Sequence, residues 1–284
     1  MAFLDDDAWP REDWLKQALR HFENNTVAAV GGPAVTPADD TAREKASGRI
    51  YSSFLVSGKF RYRYLPGKLQ EVDDLPSCNF LVRKSVMQEL GGFNTAFWPG
   101  EDTKLCLDIT GKLKKKIIYD PQLLVYHHRR PVFREHLKQI AGYALHRGYF
   151  AKRYPQTSKK IAYFLPSIFV LALLAGGILA AFIPFFKTAY IFCLSAYLLL
   201  VFLSSLSRDL PSHQNFWCEG LPLIPYVFAG IILTHITYGI YFLKGIFSKK
   251  LPEENVAGNI PAEGGAPNHP IGLGASVNHK GDCP

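Results

Sequence analysis

Apolar and polar positions divide the chain into three stretches. Residues 1 to about 160 mix both kinds in short runs, residues 161–247 hold long apolar runs, and residues 248–284 are rich in Gly, Pro, Asn and Ala. The last stretch has too little apolar surface to offset its ordering entropy and is expected to be disordered. In the first stretch Ala2–Leu4 is a short apolar run. Pro10 then opens a segment whose apolar positions Trp14, Leu15, Ala18, Leu19 and Phe22 have the spacing of one helix face. Val27–Val30 has the pattern of a buried strand and ends at Gly31-Gly32-Pro33. Strand, loop, helix and strand in this order predict an α/β sheet, in which sites gather at the carboxyl ends of strands.

The second stretch predicts membrane helices. Ala162–Phe186 and Thr188–Leu206 are each long enough to cross a bilayer, and little more than Lys187 separates them, so they are expected to form a tight hairpin. Leu221–Phe247 is a third, weaker span, interrupted by Pro222, Pro225, Thr234, His235 and Thr237. Three full crossings would put the two chain ends on opposite sides, yet Lys249 and Lys250 prefer the cytoplasmic side, as an interfacial or re-entrant third segment would allow.

Composition then narrows the partners. The net charge of +8 includes Arg147, Lys152, Arg153, Lys159 and Lys160, which sit just before the first apolar run, as on a cytoplasmic flank facing anionic lipid. No nucleic-acid module with interleaved aromatics is evident, so nucleic acid is not an expected partner. Cys78, Cys106, Cys193, Cys218 and Cys283 show no CxxC spacing, which implies neither a disulfide framework nor a zinc site, and places the soluble part in a reducing compartment.

Three polar clusters carry candidate chemistry. Asp5, Asp6 and Asp7 follow the first apolar run. A carboxylate cluster repels a diphosphate unless a divalent cation such as Mg²⁺ or Mn²⁺ bridges the two; alternatively, Asp7 caps the helix opened by Pro10. Glu101 and Asp102 follow Gly91-Gly92 and Gly100 and open a helix, where adjacent carboxylates can orient and deprotonate a hydroxyl or merely cap, together with Thr103. His127-His128-Arg129-Arg130 follow a strand expected at Leu123–Tyr126 and precede the amphipathic stretch Val132–Arg153. Imidazole suits a metal and Arg suits phosphate.

Taken together, these elements resemble the family 2 glycosyltransferases of the GT-A fold over residues 1 to about 155. FLDDDAWP resembles the family's DxD segment, GGFN with GEDTKL its glycine turn and xED segment, and VYHH its C-terminal metal histidine. LPSCNFLVRKSV, Leu75–Val86, resembles the strand-helix step beneath the acceptor site. The apolar hairpin is similar to that of membrane-anchored bacterial members. The resemblance implies a partial GT-A (Rossmann-like) sheet domain over residues 1–155, followed by transmembrane helices. It implies that Asp5 and Asp7, with Asp6 between them, hold the cation and the donor diphosphate, and that His127 is the third metal ligand, with His128 as the alternative. Asp102 would be the general base and Glu101 its support.

Two departures shape the expectation. Processive members carry QxxRW, of which Gln139-Ile-Ala-Gly142-Tyr143 keeps only the glutamine, so transfer of a single sugar is expected. Members also carry nucleotide-binding strands ahead of the DxD segment, so an N-terminal complementing segment is expected to complete the sheet, and the chain alone to transfer little. The implied activity is metal-dependent, inverting transfer from a nucleotide sugar to a lipid-linked or membrane-surface glycan acceptor of the cell envelope. It would take place at the cytoplasmic face of the inner membrane. The alternatives are a truncated, inactive membrane protein that retains the motifs, a membrane interaction module binding anionic lipid, and a metal phosphohydrolase.

Overall fold

The apolar run at the chain start does form a strand. In the computed structural model, which describes residues 1–207 and 220–252, Ala2–Leu4 is β1 and Ala8–Pro10 is β2, and the three acids occupy the turn between them. Helix α1 (Trp14–His21) begins later than expected, because Pro10 ends β2 and Asp13 precedes the first helical turn. Asp7 therefore does not cap α1. Of the expected apolar face, Trp14 and Ala18 are buried, whereas Leu15 and Leu19 stay exposed in a groove that Met1, Ala2, Phe22, Leu81 and Val82 also line.

Strands β3 (Val27–Gly31) and β4 (Ala34–Val35) are joined through Gly32, where any side chain would collide with the Leu123 carbonyl. Helices α2 (Ala42–Ser52) and α3 (Phe54–Ser57) follow, α2 starting at a reciprocal cap between Thr41 and Glu44. Next come β5 (Gln70–Val72), β6 (Asn79–Val82), α4 (Lys84–Leu90), α5 (Glu101–Leu107), β7 (Lys116–Tyr119) and β8 (Val125–His127). As the glycine pair predicts, α4 ends at Gly91 in the left-handed region, with φ 73°.

Two sheets result. One has the order β1-β6-β3-β7-β5, with β3 and β7 parallel and the other pairs antiparallel. The other has the order β2-β8-β4. Buried Asn79 ties them together: its amide donates to the carbonyls of Pro33 and Leu123, at 3.2 and 2.6 Å, and its oxygen accepts from the Trp14 indole at 3.0 Å. Phe80, Val86, Leu105 and Ile117 fill the core on one side of the larger sheet, and Trp14, Val30 and Leu81 on the other. This is an α/β domain, and helical segments follow it.

Helix α6 (Arg134–Arg153) and the short α7 (Pro155–Ser158) lead into three helices long and apolar enough to cross a membrane. These are α8 (Ile161–Phe182), α9 (Pro184–Ser205) and the stretch Leu221–Phe247, whose α-helical part, Ile224–Phe247, is α10. The hairpin breaks at Ile183-Pro184 and not at Lys187. Pro184 has no N–H to continue α8, and it holds Ile183 extended. Tyr190 packs over Gly176 and closes the hairpin.

α10 differs from the other two. One third of its most apolar window is buried, against 11% in α8 and 6% in α9. It lies along α6, with His136 bonded to Thr234 at one end and Gly148 and Gly245 allowing backbone contact at the other. Both ends of this stretch are tied to the α/β domain: Arg49 donates to the Gly220 carbonyl at 3.2 Å, and Lys152 to the Ser248 carbonyl at 2.7 Å. Cys218, Cys283 and the expected disordered tail from residue 253 onward lie outside the described residues.

Candidate active site

Pairing between β2 and β8 sets the geometry. Its antiparallel register places Ala8 opposite His127, which brings the preceding acids to the histidine ring from 120 residues away in sequence. His127 Nε2 lies 3.0 Å from an Asp7 oxygen and 3.4 Å from an Asp5 oxygen. Asp6 is exposed at the tip of the turn. Successive strand residues face opposite ways. Accordingly, His128 turns from this cluster and its Nδ1 binds the carboxylate of buried Asp40. Of the two histidines, the structure brings His127 to the acids. Arg129 also points inward, to the Ala34 carbonyl and Thr36, so it is not free for phosphate; exposed Arg130 stands 3.7 Å from Asp7.

The second acidic pair is held by a glycine. Gly100 has φ 121°, and a Cβ there would lie 2.6 Å from the Phe150 ring. The chain thus turns sharply into α5, where Glu101 accepts from the Gly100 amide at 2.9 Å and Asp102 from the Thr103 amide at 2.6 Å. Beneath them lies an ionic cluster that sequence reasoning missed. Buried Asp74 binds Arg147 at 2.5 Å and Arg63 at 3.4 Å, and accepts from the Thr103 hydroxyl at 3.4 Å. The acid pair Asp73-Asp74, just before Leu75-Pro76, was the available signal.

Electrostatics link the two acidic sites. Asp5 keeps 44% of its side chain exposed, yet partial burial, then Asp7, Asp6 and Asp102, push its carboxyl up to about 6. Burial, then the Asp102 charge, raises Glu101 to about 7. Asp102 is itself raised, by burial and then by Asp74, against the pull of Arg147. Burial, followed by Arg129, lowers His127 to about 4 despite its contact with Asp7, so the ring is neutral at pH 7 with a lone pair to offer. His127 Nδ1 is buried without a hydrogen-bond partner. Two carboxylates that repel each other and a neutral imidazole fit a divalent cation: its charge would relieve the repulsion, and oxygen and nitrogen donors suit it.

Tyr143 stands within range of the Asp102 and Asp5 charges. Tyr51 donates to Gln139 at 2.9 Å, and Gln139 donates to the Tyr143 hydroxyl at 3.1 Å. The floor carries buried Cys78, whose thiol burial, and then Asp5, push up to about 12.

Comparison with known proteins gives this arrangement its context. The chain is 29% identical over 183 residues to the pre-mycofactocin glycosyltransferase of Mycobacterium tuberculosis, covering 64% of this chain and 36% of the relative. It is 26% identical over 134 residues to the glucosyl-dolichyl phosphate glucuronosyltransferase of Haloferax volcanii, covering 45% of this chain and 42% of that protein. The chain thus spans less than half the length of these relatives. The family described as glycosyl transferase family group 2 matches over residues 1–240, which take in both sheets, both acidic sites and the apolar helices through most of α10. By that match, this chain belongs to glycosyl transferase family group 2.

Proposed function

We propose that this protein transfers one sugar at a time, with inversion, from a nucleotide-sugar donor to a lipid-linked or membrane-surface glycan acceptor. The observation that carries this reading is the β2–β8 register, which sets Asp5, Asp7 and His127 together within range of the Asp102 charge. Asp5, Asp7 and His127 would hold Mg²⁺ or Mn²⁺, which when bound would offset the charge of the donor diphosphate. Asp102 takes the proton of the acceptor hydroxyl as its oxygen attacks the anomeric carbon and the bond to the diphosphate breaks. Attack opposite the leaving group inverts the centre. Glu101 fixes the turn into α5 and so orients Asp102.

Single transfer is supported by Gln139, which is engaged by Tyr51 and Tyr143, and by Gly142, which leaves no guanidinium at that position. The relative from Haloferax volcanii is named for glucosyl-dolichyl phosphate, a lipid-linked sugar, which supports a lipid-linked acceptor here. Among the described residues the outer edge of β1 is unpaired, which supports pairing with a further strand-bearing segment. Donor binding tests the cation reading. Asp7→Ala should weaken Mn²⁺-dependent binding of a nucleotide sugar at least tenfold by calorimetry, and chelation of the cation should abolish the difference. Equal affinity in the variant would remove Asp7 from the site.

We further propose that α8 and α9 cross the inner membrane and that α10 lies at its cytoplasmic interface. The attachment of both ends of the α10 stretch to the α/β domain supports this, and it leaves Lys249 and Lys250 on the cytoplasmic side, where they are favoured. The protein should stay with membranes through an alkaline carbonate wash, and a reporter fused after Lys250 should face the same side as the α/β domain. Release by the wash, or a reporter on the opposite side, would contradict this topology.

A further inference from the structure

Cys78 stands immediately before β6 and enters the acidic site from its floor. A carboxylate oxygen of Asp5, the Cys78 sulfur and a ring nitrogen of His127 all lie within 4.8 Å of one another. To the carboxylate oxygen and imidazole nitrogen already described, Cys78 adds one soft sulfur. A hard cation such as Mg²⁺ gains nothing from the sulfur, whereas Zn²⁺ and its relatives favour it. Zn²⁺ binds sulfur at about 2.3 Å and nitrogen or oxygen at about 2.0–2.2 Å, which puts tetrahedral ligand atoms about 3–4 Å apart. The three donors need to close by only about 1 Å to meet that geometry. Asp5 has the freedom to do so, since 44% of its side chain is exposed. His127 Nε2 already lies 3.4 Å from an Asp5 oxygen, so two of the three donors face each other.

We propose that Asp5, Cys78 and His127 form a second, soft cation site for a thiophilic divalent cation of the Zn²⁺ class. Three protein ligands leave the fourth tetrahedral position open. Binding breaks the Cys78 S–H bond, releases its proton to solvent and forms the sulfur–metal bond. It also draws Asp5 and His127 from Asp7 toward the floor of the site. A soft cation therefore competes with the hard cation and inhibits donor binding. The competition rests on the reading under Proposed function; the soft site itself does not, because it needs neither Asp7 nor a donor.

The full chain, purified in detergent and titrated with Cd²⁺ alone, tests the site. One equivalent should produce an ultraviolet sulfur-to-cadmium charge-transfer band. Cys78→Ser and His127→Ala should each lose it, and Asp7→Ala should keep it. Changing an outer partner of a ligand costs about 10–100-fold in metal affinity, so losing a ligand should cost on the order of 100-fold. Cys78→Ala provides the same reading without introducing a buried hydroxyl. A band from the other cysteines would survive in Cys78→Ser and in His127→Ala, and either result would overturn the proposal. Mn²⁺ binding by electron paramagnetic resonance separates the two readings. If the wild-type chain shows the cadmium band but no Mn²⁺ binding, the hard site fails and the soft site stands; Mn²⁺ binding without the band gives the reverse.

Discussion

Asp102→Asn is expected to lower sugar transfer by about 10²–10⁴-fold while leaving donor affinity within a few-fold of its original value. The amide keeps the size of the carboxyl and can still accept from the Thr103 amide, so α5 should start as before. What it cannot do is accept a proton from the attacking hydroxyl. In the proposed site, donor affinity would depend on Asp5, Asp7 and His127, which Asn does not touch. The pH profile supplies a second reading of the same group. Burial and then Asp74 raise Asp102, burial and then Asp102 raise Glu101 to about 7, and two interacting carboxyls titrate as a pair. The base must be ionised to act, so kcat/KM should fall as pH drops, with its acid limb well above the ordinary value of about 3.9. Glu101→Gln removes one of the two like charges and should move that limb down. Near-normal turnover in Asp102→Asn would exclude Asp102 as the base.

Asp74→Ala should destabilise the protein by about 3–5 kcal/mol. Asp74 is 4% exposed and is the shared counter-charge for Arg63 and Arg147. Removing it leaves two guanidinium groups facing each other in the interior. Arg63 Nε and Arg147 Nη1 are already buried without partners, so the cluster has no spare acceptor to take them. In a domain of this size the loss corresponds to a drop of about 6–20 °C in Tm. The pH dependence follows from the sign of the shift. Burial opposes ionisation of Asp74, but Arg147 and Arg63 overcome it and hold the carboxyl at about 2, below its ordinary 3.8. Its contribution is therefore complete above pH 3.8 and is lost as the pH falls through about 2. A variant melting within about 2 °C of wild type would show that water already screens the cluster.

These two groups mark where the sequence was legible. Asp102 stood out as a candidate because local grammar surrounds it: a glycine, adjacent acids and a helix start within a few residues. The apolar helices were equally plain, since length and composition alone define them. Asp74 was not found, because its importance arises from Arg63 and Arg147, and the latter sits 73 residues away on a different element. The doubled histidine shows the same limit. The resemblance favoured His127 and kept His128 as the alternative, and the register of β8 against β2 shows which ring meets the acids. Leu15 and Leu19 carry the lesson in reverse: a helix face with core-like spacing stays exposed where the sheet beside it ends at β1.

The crossing of α6 and α10 has a mechanical consequence. Where Gly148 meets the Phe242 main chain and Gly245 that of Leu145, backbone touches backbone, and no layer of side chains remains to slide. Joints of this kind resist swivelling, because every rotation forces main chains into one another. α6 also carries Arg147, which grips Asp74 beneath Asp102. If α10 rests in the headgroup layer, the reactive centre stands at a fixed height above the lipid surface, like a gauge set on a bench. The enzyme would then select acceptors by how far their hydroxyl projects from the bilayer as well as by what they are.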